Sequence, residues 1–146
     1  MAERVGPELR RAVAARADYL CEYCLIAEED TFFGCEVDHV ISVKHGGDTV
    51  TENLAYACAF CNRHKGSDIA SLSQQTGSLV RFYNPRTDRW ADHFELDGVY
   101  IRPVSEIGEV TARILRLNDG EQILEREALR PIGRYPNAQA MLRIKT

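Results

Sequence analysis

No stretch of the 146-residue chain approaches the roughly 20 consecutive apolar residues that a membrane-spanning helix requires. The opening residues, MAERVGPELRRAVAARADYL, lack the apolar core of a secretory signal. A cytoplasmic location without a membrane partner is therefore expected. Internal repeats and low-complexity tracts are missing as well. So is any excess of positive charge: the net charge is −4, which argues against wholesale binding to nucleic acid. The distribution softens that exclusion. Residues 1–16, with Arg4, Arg10, Arg11 and Arg16, carry net +2, and residues 60–90 carry net +3. Residues 17–59 hold nine acids against Lys44 alone. Phosphate binding needs a local positive patch rather than a basic protein, although arginines on a mixed-sign surface are also ordinary solvated groups.

What is present is an ordinary globular balance, 45% hydrophobic and 27% charged, and a length sufficient for one domain or for a small domain with an extension. Pro7 suits the first turn of a helix, and Leu9, Val13, Ala17 and Leu20 recur at helical spacing, which predicts a helix over 7–20. FGCEVDHVI reads as a strand and LAYA (54–57) as a second, with the polar loop SVKHGGDTVTEN between them. CAFCNRHKG is a cysteine turn running into a short helix that Gly66 ends. Residues 67–80 are serine-rich and read as less structured. Beyond them, Asn84-Pro85 marks a turn, and HFELDGVYI is a hairpin signal around Asp97-Gly98. A helix capped by Ser105 follows, then a break at Asn118–Gly120, a second helix to Pro131 and a weakly helical tail.

Five cysteines in such a chain are unlike a disulfide framework. Four form two CxxC pairs, Cys21 with Cys24 and Cys58 with Cys61, separated by 33 residues. Cys35 is left over and reads as a small buried hydrophobe. The pairs admit a redox motif, a metal site or a set of buried free thiols. A redox site needs one CxxC opening a helix after a strand. A zinc ion wants four soft ligands in a tetrahedron, and each CxxC turn supplies two. The zinc reading makes the site structural, because four thiolates leave no open coordination position.

Between the pairs lies EVDHVISVKHGG, with an aspartate and a histidine side by side in a strand and so pointing to opposite faces. The bland reading is a buried, hydrogen-bonded histidine with an acidic partner. The segment VDHVISVKHGGDTVTENLAYACAFCNRHKG, framed upstream by CEYC, resembles the HNH nucleases, also called ββα-metal or His-Me finger nucleases. The resemblance covers residues 1 to about 80. It implies an α+β fold, a ββα-metal finger stabilised by a four-cysteine zinc site, preceded by an N-terminal helix and followed by a hairpin-plus-helices extension. The domain division would be 1–80 and 81–146, the extension packing on the core.

The resemblance also implies roles. Water cutting a phosphodiester needs a base and a cation held in line with the breaking bond. His39 would be the general base, because imidazole titrates near neutrality. Asp38 and the amide oxygen of Asn62 would hold Mg²⁺ or Mn²⁺ as hard oxygen ligands. Asn53, 14 residues after His39, would bond across the loop and hold the His39 backbone. Lys65 matches a frequent family lysine and would steer substrate phosphate, with an ordinary solvated helix lysine the alternative; Arg63 and Arg11, from the two positive stretches, are the further substrate-binding candidates. Two departures from the pattern matter. Asn62 stands where the family's letters H-N-H expect the final His, and Gly66 excludes the three-His metal site of some relatives. His64 lies about 200° around the helix from Asn62 and reads as structural or phosphate-facing rather than a ligand.

The extension, with VRFYNPRTDRWADHFEL, resembles a segment attached to many bacterial HNH proteins. Its Phe82, Tyr83, Trp90 and Phe94 read as packing, with nucleic-acid contact by Arg81, Arg86 and Arg89 the alternative. The acidic stretch 95–130 is expected to face away from nucleic acid. The leading functional expectation is a metal-dependent DNA endonuclease, with a partner protein or a second copy for double-strand cutting. The rivals are a zinc-stabilised nucleic-acid-binding module without cleavage, and a redox or zinc-buffering protein.

Overall fold

The computed structural model describes residues 5–146, so Arg4 of the N-terminal basic patch lies outside the described residues. Helix α1 spans Pro7–Arg16. It ends four residues before the expected boundary because Asp18 and Tyr19 adopt left-handed backbone angles, φ 55° and 57°, which no helix continues through. Ala17 and Leu20 stay buried past that turn. Leu20 then bridges Ala27 and closes a tight loop over residues 21–26. Inside the loop the Leu25 amide donates to Cys21 and the Cys21 amide to Ile26.

Strands β1 (Cys35–His39) and β2 (Leu54–Cys58) pair antiparallel, with Asp38 opposite Ala55 and His39 opposite Leu54. Every residue of β2 is buried, whereas β1 alternates more loosely. Helix α2 (Ala59–Lys65) follows at once, and Gly66 takes a left-handed φ of 53° at its end. Strand, loop, strand and helix thus occur in the expected order. The α1 arginines pin this finger: Arg10 donates to the Cys35 carbonyl, and Arg16 to those of Thr51 and Leu54. These two guanidiniums are committed to backbone oxygens rather than free for phosphate.

Residues 67–80 correct the expectation of little structure. Strands β3 (Ala70–Leu72) and β4 (Leu79–Arg81) form an antiparallel hairpin. The serines that suggested irregularity serve the turn, where Ser73 Oγ accepts from the amides of Gln75 and Thr76. Three-residue strands are too short for alternation to be read from sequence.

The rest comprises α3 (Trp90–His93), β5 (Phe94–Asp97), β6 (Tyr100–Pro103), α4 (Glu106–Ile114), α5 (Gly120–Leu129) and α6 (Ala138–Lys145). The β5–β6 hairpin pairs Asp97 with Tyr100, so its two-residue turn is Gly98-Val99, one position later than expected, with Gly98 at φ 63°. Ser105 caps α4 by accepting from the Gly108 amide.

One hydrophobic cluster joins both parts of the chain: Val13, Leu20, Tyr23 and Leu54 pack with Phe82, Trp90, Ile101 and Tyr135. The Trp90 indole donates to the Tyr23 carbonyl at 2.9 Å, and the Tyr135 hydroxyl to the Cys24 carbonyl at 2.7 Å. Tyr83 meets Phe94 edge to face and Trp90 lies tilted against it, with centroids 5.4 and 5.2 Å apart. The aromatics of the extension are therefore core. Of Arg81, Arg86 and Arg89, the first two are committed as well, Arg81 to Asp88 in a bidentate pair and Arg86 to the buried Glu22.

Candidate active site

The four paired cysteines converge. Their sulfurs all lie within 4.8 Å of one another, and each residue is buried. Cys24 Sγ and Cys58 Sγ are 3.9 Å apart. A tetrahedron with metal–sulfur bonds of about 2.3 Å has sulfur–sulfur edges of roughly 3.8 Å. In both turns the second cysteine's amide approaches the first cysteine's sulfur, Cys24 to Cys21 at 3.5 Å and Cys61 to Cys58 at 3.4 Å. Those matching turns aim each sulfur pair inward, so the donor set fits one structural zinc ion. Glu22, between the first two sulfurs, accepts from the Tyr56 amide and pairs with Arg86, tying this knuckle to β2 and to the extension. Cys35 is buried but outside the set, and burial pushes its thiol well above the ordinary range.

His39 ends β1 half-buried, with its Nε2 2.8 Å from Thr49 Oγ1. The loop that returns Thr49 to it is closed by Asn53. The Asn53 Oδ1 accepts from the Ile41 amide, and its Nδ2 donates to the carbonyls of Ile41 and Asp48, each at 2.9 Å. The Asn53 carbonyl also takes the Val40 amide. These bonds hold the residues that follow His39 rather than His39 itself. The two glycines have separate causes. Gly46 sits at φ 91°, and a Cβ on Gly47 would collide with the Ile41 carbonyl oxygen.

Alternation on β1 puts Glu36 and Asp38 on one face, and α2 lies across that face. Asn62 Nδ2 donates to Glu36 at 2.6 Å. Among the described residues no protein donor meets Asn62 Oδ1. Asp38, only 4% exposed, has Tyr23 Oη 3.1 Å from Oδ2 and Lys65 Nζ 3.2 Å from each oxygen. Burial pushes its carboxyl above the ordinary value, opposed by the Lys65 ammonium and the Tyr23 hydroxyl. Lys65 also donates to the His39 carbonyl at 3.0 Å.

Lys65 corrects the expectation of a phosphate-facing side chain. It is 1% exposed and fully engaged by Asp38 and His39. A buried ammonium requires a counter-charge, and Asp38 is that charge. Arg63 and Arg11 are exposed, Arg63 lying 5.8 Å over the Phe60 ring. His64 is structural: its Nδ1 donates to the Phe60 carbonyl and its ring lies against Phe60. The acidic segment does not wholly turn away. Glu121 and Glu125 of α5 line a surface groove with Glu36, Phe60 and Arg63.

Tyr23, Glu36 and Thr49 are site residues that sequence reasoning missed. Glu36 was within reach of it, two positions before Asp38 on the same strand face. Nothing in the sequence marks Tyr23 or Thr49.

Residues 21–68 match the family model described as HNH endonuclease. No curated protein and no solved structure matches the chain. The matched segment runs from Cys21, the first of the four converging cysteines, to just past α2, and it supports nuclease activity on nucleic acid in general.

Proposed function

We propose that the HNH endonuclease domain at residues 21–68 makes this protein a metal-dependent DNA endonuclease, in which His39 takes a proton from water and Asp38 and Asn62 hold Mg²⁺ or Mn²⁺. The observation that supports this reading is the match of residues 21–68 to the HNH endonuclease family model, a segment that contains Asp38, His39, Asn53 and Asn62. When bound, the divalent ion neutralises charge developing on the phosphate and the leaving oxygen. Asp38 and Asn62 are hard oxygen donors, few in number, as Mg²⁺ prefers, and the ion would have to displace the Lys65 and Tyr23 contacts that both Asp38 oxygens now make. Asn53 fixes the loop after the base. Arg63 and Arg11 steer backbone phosphate from exposed positions. The zinc of the four cysteines does no chemistry, since its ligand set is complete. Double-strand cutting would use a second copy or a partner protein, and the cytoplasm is the proposed location.

A second reading has one observation in its favour. The carboxylate of Asp38 is already neutralised by a buried ammonium, which suits a zinc-stabilised nucleic-acid-binding module without cleavage. Plasmid incubation with Mg²⁺ or Mn²⁺ separates the two. Wild type should nick DNA, and His39→Ala should lose at least about a hundredfold in rate while keeping its fold and zinc content. Equal nicking by both proteins would sink the base assignment. DNA binding with no cleavage under either metal would establish the second reading.

A further inference from the structure

We propose that Phe32 and Phe33 form a stacking platform for unpaired bases, so that the substrate strand is single-stranded or melted where it crosses the groove between this tip and α5. The role rests on the nuclease reading of the neighbouring site and adds the form of nucleic acid that the site takes.

The two rings are the most exposed large apolar side chains among the described residues, at 88% and 81%. They lie edge to face with centroids 4.8 Å apart, and neither joins the hydrophobic cluster. Leaving a phenylalanine in water forgoes about 1.5–3 kcal/mol of burial. Yet the tip that carries them is tied down. The Glu28 carboxylate accepts from the Cys35 amide and from the Tyr56 hydroxyl, and Thr31 Oγ1 donates to the Glu28 carbonyl. Arg134 reaches from the extension to Glu29 and Asp30, and so neutralises the acids that precede the rings. A contiguous apolar pair held out in this way marks a binding surface.

What sits there follows from the groove that the rings border. The groove, about 670 Å³, is lined by Phe32, Phe33, Phe60 and Arg63 on the finger and by Glu121 and Glu125 on α5. Glu36 lines it too and holds the Asn62 side chain, so the groove opens onto the candidate active site. A strand entering that site crosses the rings. The exposed Arg63 guanidinium, over the Phe60 ring, supplies a cation for phosphate on this rim. The carboxylates of α5 repel phosphate and so exclude a duplex backbone from the opposite wall. They admit base edges, because the amino groups of cytosine, adenine and guanine can donate to a carboxylate, and thymine has no such group. Stacking on a side chain needs a bare base face, which a paired duplex keeps covered by its neighbouring bases.

The test is equilibrium binding to the full-length zinc-loaded protein without added Mg²⁺ or Mn²⁺, read by fluorescence anisotropy. The probes are an all-cytosine strand, an all-thymine strand and a mixed-sequence duplex of equal length. Wild type should bind the cytosine strand most tightly, about tenfold or more above the duplex. Phe32→Ala/Phe33→Ala should lose about 10–100-fold on single strands, with duplex affinity and melting temperature unchanged. Glu125→Ala should narrow the gap between cytosine and thymine. Unchanged single-strand affinity in the double variant would overturn the proposal, as would a wild type that prefers duplex. A dimer that the double substitution converts to monomer would also overturn it, by giving the rings to a second copy. Equal affinity for the two single strands would remove α5 from the recognition. Duplex binding alone sinks the platform and leaves the nuclease reading standing, whereas binding to no probe would end both.

Discussion

The Lys65 ammonium lies 3.2 Å from the Asp38 carboxylate in the interior, with both side chains almost fully withdrawn from water. A lysine at the end of a short helix, three residues after Asn62, was expected on the phosphate side. It instead bridges α2 to β1 and also holds the His39 carbonyl.

Removing that ammonium should leave a buried carboxylate without its counter-charge. Lys65→Met is expected to destabilise the protein by about 3–5 kcal/mol in urea titrations. Arg63→Ala should leave stability within about 0.5 kcal/mol. It should, however, lower the salt dependence of DNA affinity by about one phosphate contact. A Lys65→Met protein of wild-type stability would contradict the buried-pair role.

The four converging sulfurs predict one zinc per chain by metal analysis. Cys58→Ala should lose both the zinc and the cooperative melt, whereas Cys35→Ala should retain the zinc, because its sulfur lies outside the set. Strong chelators should unfold the wild type. Full zinc content in Cys58→Ala would refute the ligand assignment.

Gly47→Ala drives a methyl group into the Ile41 carbonyl and the Asn53 amide. The loop must open, at a cost of about 1–3 kcal/mol, and amide exchange over 41–53 should accelerate. Gly120→Ala, where nothing lies within 4 Å, is the control and should be silent. Equal exchange in the two variants would count against the clamp.

Asp88 makes the extension sensitive to acid. Burial acts to raise its carboxyl pKa, but the Arg81 hydrogen bonds and the Asn84 amide outweigh it and hold the value below the ordinary 3.8. A depressed folded-state value stabilises above the unfolded value and is lost as pH falls through the folded one. The melting temperature should therefore drop between neutral pH and pH values below 3.8, and Asp88→Asn should flatten that drop. An identical acid profile in the variant would remove this pair from the explanation.

Much of the finger was legible because it is written at short range. The cysteine spacing, the alternation around Asp38 and the glycine pair each constrain a few neighbouring residues, and the structure has the strand, loop, strand and helix in that order. The β3–β4 hairpin was not legible, since three-residue strands carry too little pattern and its serines look like loop composition. The end of α1 was hidden for another reason: Asp18 and Tyr19 turn left-handed in a segment whose apolar spacing continues to Leu20.

By itself the sequence determined the order of elements between Cys35 and Lys65, the four sulfur donors, and the need for a backbone turn at Gly46-Gly47. Each of these depends on spacing along one segment of chain. Only the tertiary structure decided that Lys65 answers Asp38, that Glu36 takes the Asn62 amide, and that Thr49 meets His39. Those partners come from different elements. A polar group taken out of water bonds whichever complementary group packing brings within about 3 Å, and no periodicity in the chain encodes that distance.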